Sequence, residues 1–251
     1  MERMTLKNAR QELVVDHDWT AYFHFNNQHL LFLDYSEKGG LSAGEKRLIT
    51  PSIQAFQLGE GSEGTHLKEA ARRFADLAGY PKYPEMMDCF IQEENRHSQI
   101  LKKYMEIYGI PCIDRHGFDT VFRFLRKWMG IEGEITVLVT AEMIALSYYS
   151  ALSAATRSKL LKTICSQMLQ DEYMHVIFQS ETLHRIYSHR NPRANKCMAV
   201  FRWGFMNVVL AVVWLRYREL FRRGGYSYVR FSRDCNSCLM DSVRIAKFGR
   251  I

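Results

Sequence analysis

The chain has 251 residues, 47% hydrophobic and 24% charged, which excludes a disordered or low-complexity protein and supplies enough apolar surface for one sizeable core. Its six cysteines are mostly isolated, so a disulfide framework is excluded as the organising device. The formal net charge is +7, and residues 216–251 concentrate it, with nine Arg or Lys against three acids.

Only 15 Gly and 5 Pro interrupt the chain, which favours long helices over a turn-rich sheet protein. Residues 1–41 read as irregular with a short helix near Trp19–Tyr35, ending at Gly39-Gly40. Ser42-Ala-Gly-Glu45 has capping-box spacing for a lead-in turn. Thr50-Pro51 then offers an N-cap and a first-turn proline for a helix to about Ala78. Ile53, Phe56, Glu60, Gly64, Leu67 and Phe74 recur in it at helical spacing. A second helix, about Pro84–Tyr108, places Phe90, Glu94, His97 and Leu101 on one face, and a crossover is expected at 112–130. A third, about Ile131–Ala155, is apolar nearly all round, with Leu138, Glu142, Ala145 and Tyr149 in one stripe. The fourth, about Arg157–Ser188, carries Met168, Glu172, His175 and Gln179. A fifth runs from about Lys196 to Arg222, and the basic tail adds at most a short sixth. Two helical hairpins joined by a long crossover predict an all-α, ferritin-like four-helix bundle over 51–188, with helical extensions at 1–50 and 195–251 in one domain.

Carboxylates do not belong on apolar stripes unless something compensates their burial. Here each of four stripes carries one Glu, and two add a His three residues later, on the same helix face. One Glu from each of two helices plus Glu-x-x-His from the other two is the ligand set of a carboxylate-bridged di-metal site. Hard oxygens with two imidazoles suit iron or manganese. The expected ligands are Glu60, Glu94, His97, Glu142, Glu172 and His175.

With 17 Glu and 9 His, random placement yields roughly 0.6 Glu-x-x-His pairs. The chain has four: Glu63/His66, Glu94/His97, Glu172/His175 and Glu181/His184. Glu172 and Glu181 lie nine residues apart and so point to opposite sides of one helix. The Glu172 side is apolar, whereas the Glu181 side holds Thr163, Ser166 and Ser188. Glu60 sits on the clean stripe of its helix, and Glu63 is close enough in angle to support or replace it. His66 and His184 are expected at the surface. Asp171 is expected to hydrogen-bond a ligand imidazole and fix its tautomer. Gly59, Gly61 and Gly64 around Glu60 suggest either room beside the metals or close helix packing. Tyr148 and Tyr149 are expected to pack, and Cys235/Cys238 to be incidental thiols or a redox pair.

Leu58-Gly59-Glu60, Glu94-Asn-Arg-His97, Glu142 within TAEMIALSYYSA, and Asp171-Glu172-Tyr-Met-His175 resemble the ferritin-like di-iron oxygenases, closest in motif to the aldehyde-deformylating oxygenases. The likeness covers roughly residues 55–180. It implies two iron ions, or a manganese/iron pair, and activation of O2 for oxidation of a small, apolar organic substrate. An oxidant-scavenging di-metal bundle without organic substrate is the alternative. Rubrerythrin-type peroxidases fit less well, because Ala145 stands where they carry a further carboxylate and Cys235-Asn-Ser-Cys238 is a lone Cys-x-x-Cys.

The reaction needs an external electron donor, and the basic C-terminal region could dock an acidic ferredoxin or flavodoxin-like protein. A plainly solvated surface is the other reading of that charge. The spacings of nucleic-acid-binding modules are missing, so no nucleic acid is expected. The first 19 residues lack the apolar run of a signal peptide. The uncharged apolar stretch Trp203–Leu215 has 13 residues, short of the about 20 needed to span a bilayer. A cytoplasmic protein is therefore expected, with Trp203–Leu215 covering the bundle or pairing with a second copy in a homodimer, and contact with a membrane surface as the remaining alternative.

Overall fold

The computed structural model describes residues 18–36, 40–61, 64–114, 119–188 and 190–249, and only the backbone over 119–129. These residues form eight helices and no strand: α1 (Trp19–Gln28), α2 (Ala43–Glu60), α3 (Thr65–Ala78), α4 (Tyr83–Ile107), α5 (Asp119–Ala155), α6 (Lys159–Ser188), α7 (Pro192–Arg223) and α8 (Tyr228–Phe248). The all-helical arrangement is compatible with a ferritin-like bundle. Helix α2 packs along α4, α5 along α6, and α4 meets α6 across the middle. Outside this group α1 lies on α4, α7 on α5, and α8 on α6. The core runs through all of them, from Trp19 and Ile53 to Phe221 and Leu239.

The first long helix departs from the sequence expectation at both ends. It starts at Ser42, not Thr50. The Ser42 side chain accepts the Glu45 N–H and Glu45 returns to the Ser42 N–H, so a complete capping box opens α2 and Pro51 lies inside it. Thr50 is an interior residue whose hydroxyl donates to the Lys46 carbonyl at 2.7 Å. The helix then stops at Glu60 instead of continuing to Ala78.

The glycines explain the break. Gly64 takes the left-handed conformation (φ 65°) and caps α3. A Cβ there would come 2.6 Å from Ile91 Cδ1, and one on Gly61 would come 2.9 Å from Ser98 Oγ. The turn is therefore pressed against α4, where Gln57 Nε2 donates to Ser98 Oγ and Ser98 Oγ donates to the Gln57 carbonyl. Close packing against α4 is what Gly61 and Gly64 provide, and α3 continues along the same helix, with Lys68 reaching Asp88 at 3.2 Å.

Two further expectations need correction. Helical backbone begins at Asp119, inside the expected crossover, and is interrupted at Gly130 (φ 57°). The basic tail forms a 21-residue helix, α8, opened by a Ser227 cap and closed by Gly249 in the left-handed conformation. It buries Phe231, Cys235 and Leu239 in the core. Cys235 and Cys238 are free, buried thiols. Burial pushes the Cys235 thiol up to about 12, which leaves it a poor nucleophile. Between α7 and α8, Gly224 lies so close to α5 that a Cβ would meet Ala151 O at 2.4 Å.

Gly64→Ala would place a side chain on a positive-φ residue already in contact with Ile91. A loss of about 1–3 kcal/mol is expected, read as a lower Tm at unchanged helix content.

Candidate metal centre

Four helices each deliver one carboxylate to the middle of the bundle. Glu60 is the last residue of α2, Glu94 lies on α4, Glu142 on α5 and Glu172 on α6. His97 and His175 follow one turn after Glu94 and Glu172. Both imidazoles and Glu172 are completely buried, Glu60 and Glu142 nearly so, and the Glu94 side chain is 14% exposed, which makes it the edge of the cluster.

The donor atoms fall into two overlapping groups. Glu60, Glu94, His97 and Glu172 place one donor atom each within 4.8 Å of one another, and so do Glu94, Glu142, Glu172 and His175. Glu94 and Glu172 belong to both. Each group thus holds one imidazole, one private carboxylate and two shared ones.

These residues fit a pair of divalent cations. His97 Nδ1, Glu94 Oε1 and Glu172 Oε1 are buried without a hydrogen-bond partner, and buried polar atoms are seldom left so. His97 Nδ1 lies 3.7 Å from Glu94 Oε1 and 3.5 Å from Glu172 Oε1. His175 Nδ1 lies 3.0 Å from Glu94 Oε1 and 3.3 Å from Glu172 Oε2. Both Nδ1 atoms therefore face the shared carboxylates. Oxygen-rich sets with one imidazole per cation suit iron or manganese, whereas thiolates are missing from both groups.

The far side of each imidazole faces a carboxylate of the opposite helix. His97 Nε2 is hydrogen-bonded to Asp171 Oδ2 at 2.9 Å, and His175 Nε2 lies 3.3 Å from Glu93 Oε1 without hydrogen-bond alignment. Asp171 immediately precedes Glu172, and Glu93 immediately precedes Glu94, so α4 and α6 exchange supports. Asn26 of α1 joins the two, its Nδ2 donating to Glu93 Oε1 at 2.9 Å and Asp171 Oδ1 at 2.8 Å. Arg96 adds a cation, 3.1 Å from Asp171 and 3.4 Å from Glu93. Gln167 donates to both Asp171 oxygens and accepts the Leu31 N–H, tying the segment after α1 to the same support. Such backing orients imidazoles and raises their basicity as ligands.

The private carboxylates have neutral partners. Tyr149 OH donates to Glu60 Oε1 at 2.7 Å, so Tyr149 is more than a packing residue. Gln179 Nε2 donates to Glu142 Oε1 at 3.2 Å. Burial, then the charges of Glu94 and Glu172, push Glu60 well above the usual carboxylate range. Burial with Glu172 and Glu94 does the same to Glu142. Burial opposes the charged form of His97 and His175 too, but the carboxylates that accept from them, Asp171 and Glu172 for the first and chiefly Glu172 for the second, outweigh it and raise both. For Glu172, hydrogen bonds from Glu142, His175 and His97 overcome burial and lower it. Without metal the cluster is balanced by protons.

The other two Glu-x-x-His pairs lie elsewhere. His66 is exposed on α3, and Glu63 falls outside the described residues. Glu181 accepts the Trp19 indole N–H at 2.7 Å. His184 is not the surface residue expected from its polar helix side: it is half-buried under α8, with Nδ1 3.2 Å from the Ala246 carbonyl. Helix α8 covers a face that four helices alone would leave open. Sequence reasoning missed Glu93, Asn26 and Gln179. Glu93 had a readable signal, since it occupies the same place before Glu94 that Asp171 occupies before Glu172.

Comparison with protein-family models, with curated proteins and with solved structures finds no match.

Asn26→Ala removes the bridge between the two supports without touching a donor atom. It should weaken metal binding by about tenfold or more, measured by competition with a chelator. His97→Ala and His175→Ala should each lower bound metal clearly in elemental analysis, and His66→Ala and His184→Ala should not.

Binding must also be pH-dependent. Burial and the neighbouring carboxylates make Glu60 and Glu142 hold their protons well beyond the usual carboxylate range, and the carboxylates around His97 and His175 do the same for the imidazoles, and ligation needs all four unprotonated. Apparent metal affinity should therefore rise with pH. Proton release should be visible by calorimetry in buffers of different ionisation enthalpy. The metal-free chain has the opposite trend. Its folded state keeps these four protons after the unfolded chain has lost them, so their stabilisation fades as pH rises through the raised values. Glu172, being lowered, contributes stability that is lost toward acid.

Proposed function

We propose that this chain is a ferritin-like, non-haem di-iron oxidoreductase that activates O2 to oxidise a small, apolar organic substrate. The observation that carries the reading is the pair of four-residue donor groups sharing Glu94 and Glu172. A site for one cation has no use for two imidazoles on opposite sides of two shared carboxylates. The motif resemblance to aldehyde-deformylating oxygenases bears on the substrate only by analogy.

In this reading Glu60, Glu94, His97 and Glu172 hold one cation, and Glu94, Glu142, Glu172 and His175 the other. Bound iron supplies the capacity to take part in one-electron chemistry with O2. The chain's own residues set the conditions. Asp171 and Glu93 keep the Nδ1 lone pairs of His97 and His175 turned inward. Tyr149 donates a hydrogen bond to Glu60, restraining a carboxylate that stands at a helix end, where backbone freedom is greatest. Its hydroxyl keeps its proton, because burial and then the Glu60 charge raise it well above the ordinary value. Phe90 and Phe23 lie 4.8 and 6.1 Å from the His175 ring and shut water out on that side, strengthening every electrostatic contact inside. Reducing equivalents come from an external donor of ferredoxin or flavodoxin type.

Anaerobic Fe(II) loading followed by O2 tests the reading. It expects close to two irons per chain and O2 uptake that accelerates with an apolar substrate. Two metals with O2 or peroxide consumption that no organic compound accelerates would move the reading to an oxidant-scavenging bundle. One metal or none would overturn both. Tyr149→Phe should retain metal but slow the O2 reaction, by about tenfold for one buried hydrogen bond to a charged group.

A further inference from the structure

Helix α7 is apolar on two opposite faces, and the bundle uses only one of them. Met206, Leu210, Val213 and Tyr217 are buried against the neighbouring helices. At 100° per residue, Phe201, Val208, Val212 and Leu215 fall within about 60° of one another on the other side. They point away from the bundle, with exposures of 40, 65, 36 and 69%. Among the described residues two helices are long and apolar enough to cross a membrane. Gly130–Ala155 is 78% buried over its apolar window, so its composition is accounted for by the core. The α7 window is only 28% buried. A helix facing water would carry polar residues on that outer side.

The charges around the stripe say what covers it. Exposed Arg193 and Lys196 stand at its N-terminal end, and exposed Arg216, Arg218, Arg222 and Arg223 at its C-terminal end. The one acid in α7 is Glu219. A second copy of the chain is a poor partner. Pairing α7 with itself antiparallel sets Arg193 and Lys196 against the C-terminal arginines, and parallel pairing sets each cationic end against its own kind. Both juxtapositions repel. A soluble acidic protein would meet the arginines but leave four large apolar side chains without a reason. An anionic lipid surface satisfies both features: phosphates pair with the cations, and the acyl region takes the stripe.

Spanning is excluded by the same geometry. The inner face of α7 is packed on the bundle, and buried Arg202 is fixed there by donating to Ser242 Oγ at 2.7 Å. Helix α7 can only lie flat.

We propose that the outer face of α7 seats this protein on an anionic phospholipid membrane, with the helix axis in the membrane plane and Phe201, Val208, Val212 and Leu215 inserted between headgroups. This rests on α7 alone and is independent of what the metal centre does.

The full chain, incubated with vesicles of phosphatidylcholine plus phosphatidylglycerol, should co-sediment with them. It should remain largely in solution with phosphatidylcholine alone, and binding should weaken with added salt. The double variant Val208→Glu/Leu215→Glu alters only outward side chains, so it should keep its Tm. Partitioning should fall by about tenfold or more. Arg222→Gln/Arg223→Gln, which leaves the stripe intact, should lower binding to the anionic vesicles and flatten its salt dependence. No sedimentation with either vesicle would overturn the proposal, as would equal binding to both that Val208→Glu/Leu215→Glu leaves unchanged. A stable dimer by light scattering that the same double variant dissociates would also overturn it, assigning the face to a second copy.

Discussion

Charge cannot be taken out of water in an apolar bundle unless something of opposite sign goes with it. This chain buries Glu60, Glu93, Glu142, Asp171 and Glu172 around two buried imidazoles, and the surrounding arrangement follows from compensating them. Without metal, protons do it: the imidazoles and the two private carboxylates hold theirs beyond the ordinary pH, and Glu172 and Asp171 give theirs up. Divalent cations would take over the same role. A cation entering this cluster would therefore displace protons as it binds.

Several local features of the fold serve that compensation. Helix α1 buries only Trp19 and Phe23 of its own, yet it supplies the amide that joins Glu93 to Asp171. The turn after Glu60 needs glycine at 61 and 64 so that α2 can end against α4, which brings its last carboxylate to the cluster. Tyr149 and Gln179 reach from α5 and α6 to the two carboxylates that are not shared. Helices α7 and α8 contribute packing from outside and leave the donor atoms alone.

Much of this was legible from residue spacing. Periodicity found α4 and α6 nearly to the residue, because their stripes run uninterrupted for many turns. It placed Glu60, Glu94, His97, Glu142, Glu172 and His175 on inward faces, and the structure brings all six together. It failed where a local signal was outweighed. Thr50-Pro51 resembles a helix start, but the capping box at Ser42 had already opened α2, and an interior proline is accommodated there. Apolar spacing ran on past Glu60 because α3 resumes a similar pattern along the same face of α4 after the break, so Gly61 and Gly64 were the better guide. His184 was misjudged, and the hydrogen bond that Tyr149 adds to its expected packing was missed, for a common reason: their environments are made by other helices, α8 and α2, which periodicity along one helix cannot report.

The exchange of supports between α4 and α6 has a mechanical consequence. Each helix carries a carboxylate that holds the other's imidazole and a glutamate shared by both donor groups, so the two are keyed together at four points. Sliding one helix along the other by a single turn, about 5.4 Å, would unseat His97 from Asp171 and His175 from Glu93 at once. Apolar ridges alone permit such slips, since one leucine fits a groove much as the next does. Here the polar cluster picks out one alignment among several that hydrophobic packing would accept, and it acts as an indexing pin for the bundle before any ion arrives.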